Sequence, residues 1–368
     1  MGARGRLTWA VAFGAVVVLG GAIAWYLLAS AATDAAPGEQ TAVPSIEIGR
    51  ADILLVVAGD IACAPGIPST PTTCHQASTA SLLGRSDLAG KASGAVLLGD
   101  IQYESGRTAD FGSFRDTWGA ALAAAAVPTF PTPGNHEWYD PDAPPAGCRL
   151  VDGDQNACGY EGFFGARAFD GDVSDRDGNR GVRFEPAQGR HPLVLILMDA
   201  GRCEHDPADC SASSPAASFL RSALEDPAFN PPGACVVVGW HQARWSDNGH
   251  GDLRAVDGLW QTMFEPPPDQ RPDLVLNGHD HLYERMPRLG MDGQLNDDGI
   301  AEVIVGTGGR EIAEAPYVGP AVGRAAAVDA QHFGVLALTE DPLAGALTTT
   351  FLTEAGEQVD PTTQDCRV

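Results

Sequence analysis

The sequence predicts an α/β fold in which two mixed β-sheets stack as a sandwich flanked by helices, behind a single N-terminal transmembrane or signal segment. Two observations carry the fold class. Short, uninterrupted apolar runs alternate with helical stretches from residue 53 to residue 305, the pattern of strands buried on both faces. After residue 330 the helices stop, and Gly334 to Thr339 and Ala346 to Leu352 read as an antiparallel pair that finishes a second sheet.

At the N-terminus, no charged residue stands between Arg6 and Asp34, and Leu7 to Ala32 are mainly Ala, Val, Leu, Ile and Gly, enough to cross a bilayer. Arg4 and Arg6 before that run predict a cytoplasmic N-terminus with the rest of the chain outside. A cleaved signal peptide is the competing reading, supported by the small residues Ala29, Ser30 and Ala31, and both readings export the remainder of the chain. Residues 1–32 are therefore anchor or signal, and 33–52, rich in Ala, Pro, Gly and Thr, are a linker. A single domain is expected over 53–356, with 357–368 as a C-terminal tail.

Within the domain, strands are expected at Ile53 to Ala58, Ala95 to Leu98, Leu193 to Met198, Cys235 to Gly239, Leu274 to Leu276 and Val303 to Val305. Helices are expected at Ala77 to Leu83, Phe111 to Ala126, Ser218 to Leu224 and Leu253 to Phe264. Residues 140–190, dense in Gly, Asp and Arg, read as a disulfide-pinned insertion beside the site. The eight cysteines contain no Cys-x-x-Cys pair, which favours disulfides in an oxidising compartment. By proximity the pairs are Cys63 with Cys74, Cys148 with Cys158 and Cys203 with Cys210, leaving Cys235 for Cys366.

A formal net charge of −25 argues against a nucleic-acid-binding surface, which needs a basic footprint, and none is expected. An anionic substrate must then be drawn in by something locally positive, and bound metal ions are the candidate.

Five segments carry side chains suited to metals, each at or just beyond an apolar run. They are Gly59-Asp60; Gly99-Asp100 with Tyr103; Gly134-Asn135-His136-Glu137; Gly239-Trp240-His241; and Gly278-His279-Asp280-His281. Glycine lets the backbone turn there, and ligands of α/β folds collect at the carboxyl ends of strands. Singly, each has a bland explanation, since Gly-Asp marks ordinary turns and a lone histidine is usually a hydrogen-bonded structural residue. Together they supply a mixed nitrogen and oxygen set for two ions. His75, His191, His205 and His332 fall outside these segments and are expected to be surface or structural residues.

The order Gly-Asp, Gly-Asp-x-x-Tyr, Gly-Asn-His-Glu, Trp-His and Gly-His-Asp-His resembles the calcineurin-like metallophosphoesterases, and with Tyr103 and the run Gly278 to Arg285 the purple acid phosphatases in particular. The resemblance covers most of residues 53–310. It implies that Asp60, Tyr103 and His281 hold Fe(III), that Asn135, His241 and His279 hold a divalent ion (Zn, Mn or Fe), and that Asp100 bridges the two. It further implies hydrolysis of a small phosphate ester by water activated at the two ions, with His136 and His250 orienting the phosphate and protonating the leaving oxygen. The implied activity is a phosphomonoesterase; a phosphodiesterase or nucleotidase on the same metals is the second reading, and a non-catalytic surface binding module the third. Gly251 stands where the family often has another histidine, and Arg244 is a candidate phosphate contact in compensation. Glu284 and Arg285 are expected to form an ion pair behind the metal loop, and Gly306 to Gly309 to offer backbone amides to the site.

Overall fold

The structure is a computed structural model, and it describes residues 47–48, 53–85, 88–139, 150–151, 155–186, 191–247, 250, 252–312 and 324–367. The chain divides into two units, Met1–Pro44 and Ser45–Val368, and the fold is that of the second. The expected anchor or signal lies outside the described residues, as does most of the linker. Among the described residues no helix is long and apolar enough to cross a membrane.

The first strands are β1 (Glu47–Ile48), β2 (Ile53–Ala58), β3 (Gly94–Leu98) and β4 (Thr129–Thr132). Then come a small antiparallel pair, β5 (Leu150–Val151) and β6 (Gln155–Asn156), and the strands β7 (Val173–Ser174), β8 (Arg180–Pro186) and β9 (Leu193–Leu197). They are followed by β10 (Cys235–Gly239), β11 (Leu274–Asn277), β12 (Tyr283–Leu289), β13 (Ile300–Val305) and β14 (Ala327–Asp329). The chain ends on β15 (Gly334–Asp341), β16 (Ala346–Thr353) and β17 (Gln358–Asp365).

One sheet has the order β17-β16-β15-β2-β3-β4, with β2, β3 and β4 parallel and the β15 side antiparallel. The other runs β1-β8-β9-β10-β11-β13-β12-β14, with β7 beside β8 and with β9, β10, β11 and β13 parallel. Both sheets are therefore mixed, as expected.

Strand periodicity explains the layers. Ile53, Leu55 and Val57 of β2 and Leu193, Leu195 and Leu197 of β9 share one buried cluster between the sheets. Their neighbours turn the other way. Leu54, Val56 and Ala58 pack with Phe114, Trp118 and Leu122 of the helical segment after Phe111, and Val194 and Ile196 pack with Leu220, Leu259 and Trp260 of the helices Pro215–Glu225 and Asp257–Phe264. This double burial is why the strands read as continuous apolar runs.

Several strands were not expected, among them β8, β12, β4 and β17. The last two each contain a proline, Pro131 and Pro361, and each lies at an edge of its sheet, where a missing N–H leaves no ladder partner unsatisfied. Residues 357–368 are thus for the most part a strand paired with β16 and not a tail. The expected insertion over 140–190 also gives up its last part, because β8 joins the larger sheet beside β9. Three expected disulfides are present, Cys63–Cys74, Cys203–Cys210 and Cys235–Cys366. Cys148 lies outside the described residues, and so does its expected pairing.

Candidate metal centre

All seven expected ligands lie in the loops that follow the carboxyl ends of β2, β3, β4, β10 and β11. These are parallel strands from both sheets, so the loops meet at one rim of the sandwich. Hydrogen bonds join the two halves of that rim: Gly59 N–H donates to Val305 O at 2.8 Å, and the Thr132 hydroxyl to Met198 O at 2.7 Å. Asp60, Asp100 and His279 hold left-handed backbone, with φ of 58°, 45° and 73°. That conformation costs about 1–2 kcal/mol for a residue with a Cβ, and it turns each side chain off its strand into the crevice.

The side chains converge as two groups sharing one carboxylate. Tyr103 OH donates to Asp60 Oδ1 at 2.8 Å and to Asp100 Oδ2 at 2.9 Å, and His281 Nε2 lies 3.1 Å from the phenol and 3.2 Å from Asp60 Oδ1. On the other side, His241 Nε2 is 3.3 Å from Asp100 Oδ2 and 3.3 Å from His279 Nδ1. Asn135 stands between Gly134 and His136, and the His136 N–H donates to Asp100 Oδ1 at 2.9 Å. Asp60, Asp100 and His241 alone place three ligand atoms within 4.8 Å of one another.

The surroundings orient these groups toward an ion. His241 Nδ1 is 2.7 Å from Leu98 O, so the ring donates there and turns its Nε2 toward the crevice. His281 Nδ1 faces Glu311 Oε1 at 3.3 Å, which turns its Nε2 inward in the same way. Asn135 Nδ2 donates to the Tyr139 hydroxyl at 3.3 Å, while its Oδ1 is buried with no hydrogen-bond partner. A buried amide oxygen without a donor is costly, and a cation is a natural partner for it.

The electrostatics agree. Burial raises the Asp100 carboxyl, but the facing His241 and His136 hold it well below the usual carboxylate range. Burial pushes His241 and His281 down, yet Asp100 beside the first and Asp60 and Glu311 beside the second raise each to about 10. Burial, with Asp100 and Asp60 adjacent, keeps the Tyr103 phenol protonated far above its ordinary range. His279, buried beside His241 and His250, is pushed well down and keeps a free lone pair. Tyr103, His241 and His281 thus carry protons in this state, and a cation bound among them would have to displace those protons.

Glu137 was part of a motif without a role. Its Oε1 accepts N–H bonds from Ile101 (2.8 Å) and Gln102 (3.1 Å), and its Oε2 accepts one from Gly134 (2.7 Å). It ties the Asp100 loop to the Asn135 loop. Gly134 itself is needed for space, since a Cβ there would lie 2.1 Å from Asp100 Oδ1 and 2.5 Å from the Asp100 amide nitrogen. Gly134→Ala therefore has to move Asp100, and metal affinity is expected to fall about 10–100-fold, the range for disturbed supporting contacts. Metal titration of the purified variant checks this; wild-type affinity would mean that Asp100 is not placed by this contact.

The outer histidines flank the expected ligands. His136 Nδ1 is held at 2.6 Å by Glu104 O, and its Nε2 lies 3.8 Å from Asp100 Oδ2. The exposed His250 ring packs 4.3 Å from that of His279. Arg244 is not with them. It is 2% exposed, its guanidinium lies 3.7 Å over the Trp245 ring, and it pairs with Asp257, so it is a packing residue and not a phosphate contact.

The expected Glu284–Arg285 pair is absent too, because neighbours on a strand point to opposite faces. Glu284 accepts from Ser246 and Asp247, while Arg285 donates to both oxygens of Asp360 on β17. Gly306 and Gly308 spend their amides on Leu282 O and Gly59 O and offer none to the site. Of the four remaining histidines, His75 pairs with Glu354, His191 with Gly233 O and His332 with Asp329, as structural residues do. His205 packs edge-on against Tyr139 at 5.0 Å.

Residues 53–283 match the family model for calcineurin-like phosphoesterases. Among solved structures, the chain is similar to the purple acid phosphatase PPD1 from yellow lupin (Lupinus luteus) seeds at 18% identity, with a TM-score of 0.59 over 85% of this chain and 53% of that one. The chain thus spans about half the length of the lupin protein. It is also similar to GAP50, the anchor in the inner membrane complex of Plasmodium, at 13% identity and TM-score 0.55, over 86% of this chain and 90% of that one. A third likeness is to PhoD, at 12% identity and TM-score 0.55, over 86% of this chain and 69% of that one. At such identities these likenesses show the fold alone. No curated protein matches the chain.

Proposed function

Because the chain belongs to the calcineurin-like phosphoesterase family, we propose that its site hydrolyses phosphomonoesters at a binuclear metal centre of the purple acid phosphatase type. The observation that carries the reading is the shared carboxylate: Asp100 Oδ2 lies 2.9 Å from the Tyr103 phenol of one group and 3.3 Å from His241 Nε2 of the other. Asp60, Tyr103 and His281 would hold Fe(III), and Asn135, His241 and His279 a divalent Zn, Mn or Fe, because phenolate and carboxylate oxygens suit a hard trivalent ion and imidazoles a softer one. When bound, such a pair supplies positive charge for the phosphoryl oxygens and acidifies water beside them.

The protein's own groups do the rest. His136, fixed through Nδ1, turns Nε2 toward the crevice, where it can hold a phosphoryl oxygen. His250, exposed at the mouth, is the group that can reach the leaving oxygen with a proton. An extracytoplasmic location for the enzyme is part of the same proposal, supported by its disulfides and by the apolar run of residues 7–32.

Two measurements on the full-length, oxidatively folded protein test the reading. Turnover of an aryl phosphate monoester should exceed that of the matching diester at mildly acidic pH; the reverse order would assign the site to a phosphodiesterase. A phenolate on ferric iron should colour the metal-loaded protein, and Tyr103→Phe should bleach it. A colourless wild type with full metal would remove the iron assignment.

A further inference from the structure

The stretch from Arg244 to Asp252 carries His250, and three buried carboxylates hold its described residues in sequence. Glu302 on β13 accepts the N–H of Arg244 at 2.8 Å and of Trp245 at 3.1 Å. Glu284 on β12 accepts the Ser246 hydroxyl at 2.9 Å and the Asp247 N–H at 3.2 Å. Asp280, between the two ligand histidines, accepts the His250 N–H at 3.0 Å. From the outer side Arg324 closes the grip, donating to Asp247 Oδ1 at 2.9 Å and Asp252 Oδ1 at 2.6 Å.

Packing alone does not call for this arrangement. β12 and β13 are antiparallel, with Glu284 opposite Ile304 and Met286 opposite Glu302, so both glutamates sit on one sheet face among apolar side chains. Glu284 and Glu302 are both 0% exposed. Burial raises Glu302 to about 8 and Glu284 to about 7, even though each accepts two hydrogen bonds. Two apolar residues would fill this face at less expense. The carboxylates add direction: each fixes two consecutive points of the chain leading to His250.

We propose that Glu302 and Glu284 are positioning residues that hold His250 against His279 at the point from which it protonates the leaving oxygen. The inference rests on the reading of His250 given above. Proton donation matters most when the leaving oxygen is basic, so its loss should be selective: severe for an alkyl phosphate and slight for an activated aryl phosphate.

The test compares these two substrates in the metal-loaded, full-length protein. His250→Ala should lose about 100-fold or more on the alkyl ester, within the usual range for general acid catalysis, and little on the aryl ester. Glu284→Ala should show the same selectivity to a smaller degree, together with faster amide hydrogen exchange over residues 244–250. Glu284→Gln, whose amide can accept from Asp247 and donate to Ser246, should restore both. Ser246→Ala removes the hydroxyl's contacts with Glu284 and Asp280 without opening a cavity under the strand and serves if Glu284→Ala does not fold; it too should lose selectively on the alkyl ester.

Equal losses on both esters in the Glu284 and Ser246 variants, with selectivity kept in His250→Ala, would overturn the positioning role and leave the function standing. Absence of selectivity in His250→Ala would remove the proton donor itself, and the positioning role with it.

Discussion

In Asp100→Asn the folded protein is expected to lose its metal and its turnover together, with kcat/KM falling by more than about 100-fold, the upper end of the effect of losing a merely supporting partner. The replacement is nearly isosteric. Asn Oδ1 can still accept the His136 N–H now held by Asp100 Oδ1 at 2.9 Å, so the loop after β3 keeps its anchor. The change falls on the edge that faces both groups. An amide nitrogen in place of Oδ2 would donate toward His241 Nε2, 3.3 Å away, and occupy the lone pair that a metal needs.

The same nitrogen cannot accept from Tyr103 OH, which now gives Asp100 a 2.9 Å hydrogen bond. His241 also loses the neighbouring carboxylate that opposes burial and raises its pKa to about 10, so its charged form is disfavoured. Metal analysis, turnover and thermal melting on one preparation check the prediction. Full activity in a metal-replete variant would end the shared-carboxylate mechanism; loss of the fold would show that Asp100 holds the rim as well as the ions.

That the seven candidate side chains gather at strand ends was legible because the signal for it is local. A run such as Ile53 to Ala58 is a strand by its own pattern, and a glycine followed by Asp60, or by Asp100, marks the turn at its end. That Asp60, Asp100 and His279 adopt left-handed backbone is compatible with the same signal, since Asp and His enter that region more readily than bulky residues do. The supporting residues were not legible, because their partners are remote in sequence. Glu311 orients His281 from 30 positions away, Glu302 reaches back to Arg244 and Trp245, and nothing near any of them announces the contact.

Arg244 shows the converse error. A cation near a ligand histidine suggested a phosphate contact, but Trp245 and Asp257 take it up first. For β4 and β17, Pro131 and Pro361 obscured strands that tolerate proline because they lie at sheet edges.

The other large effect concerns stability at the far end of the sandwich. Cys235 opens β10 at its amino end, opposite the rim that carries His241, and is bonded to Cys366 across 131 residues. Closing so long a loop removes entropy from the unfolded chain worth about 5 kcal/mol on the chain-entropy account. Cys203–Cys210 spans 7 residues, and on the same account contributes less than the roughly 3 kcal/mol of a 15-residue loop.

The folded partners have a second tie, since Asp273 accepts the Val236 N–H at 2.8 Å and the Arg367 N–H at 2.7 Å. Without the bridge, therefore, β17 should still dock, and the loss should appear in the unfolding equilibrium and not in the site. The double variant Cys235→Ala/Cys366→Ala should unfold at markedly lower urea concentration than Cys203→Ala/Cys210→Ala, while its folded fraction binds metal with unchanged affinity. Against a typical domain stability of about 5–15 kcal/mol, such a loss makes the fold depend on oxidation. Equal urea midpoints for the two double variants would sink the loop-length argument, and weakened metal binding in the first would show that the two ends of the sandwich are coupled.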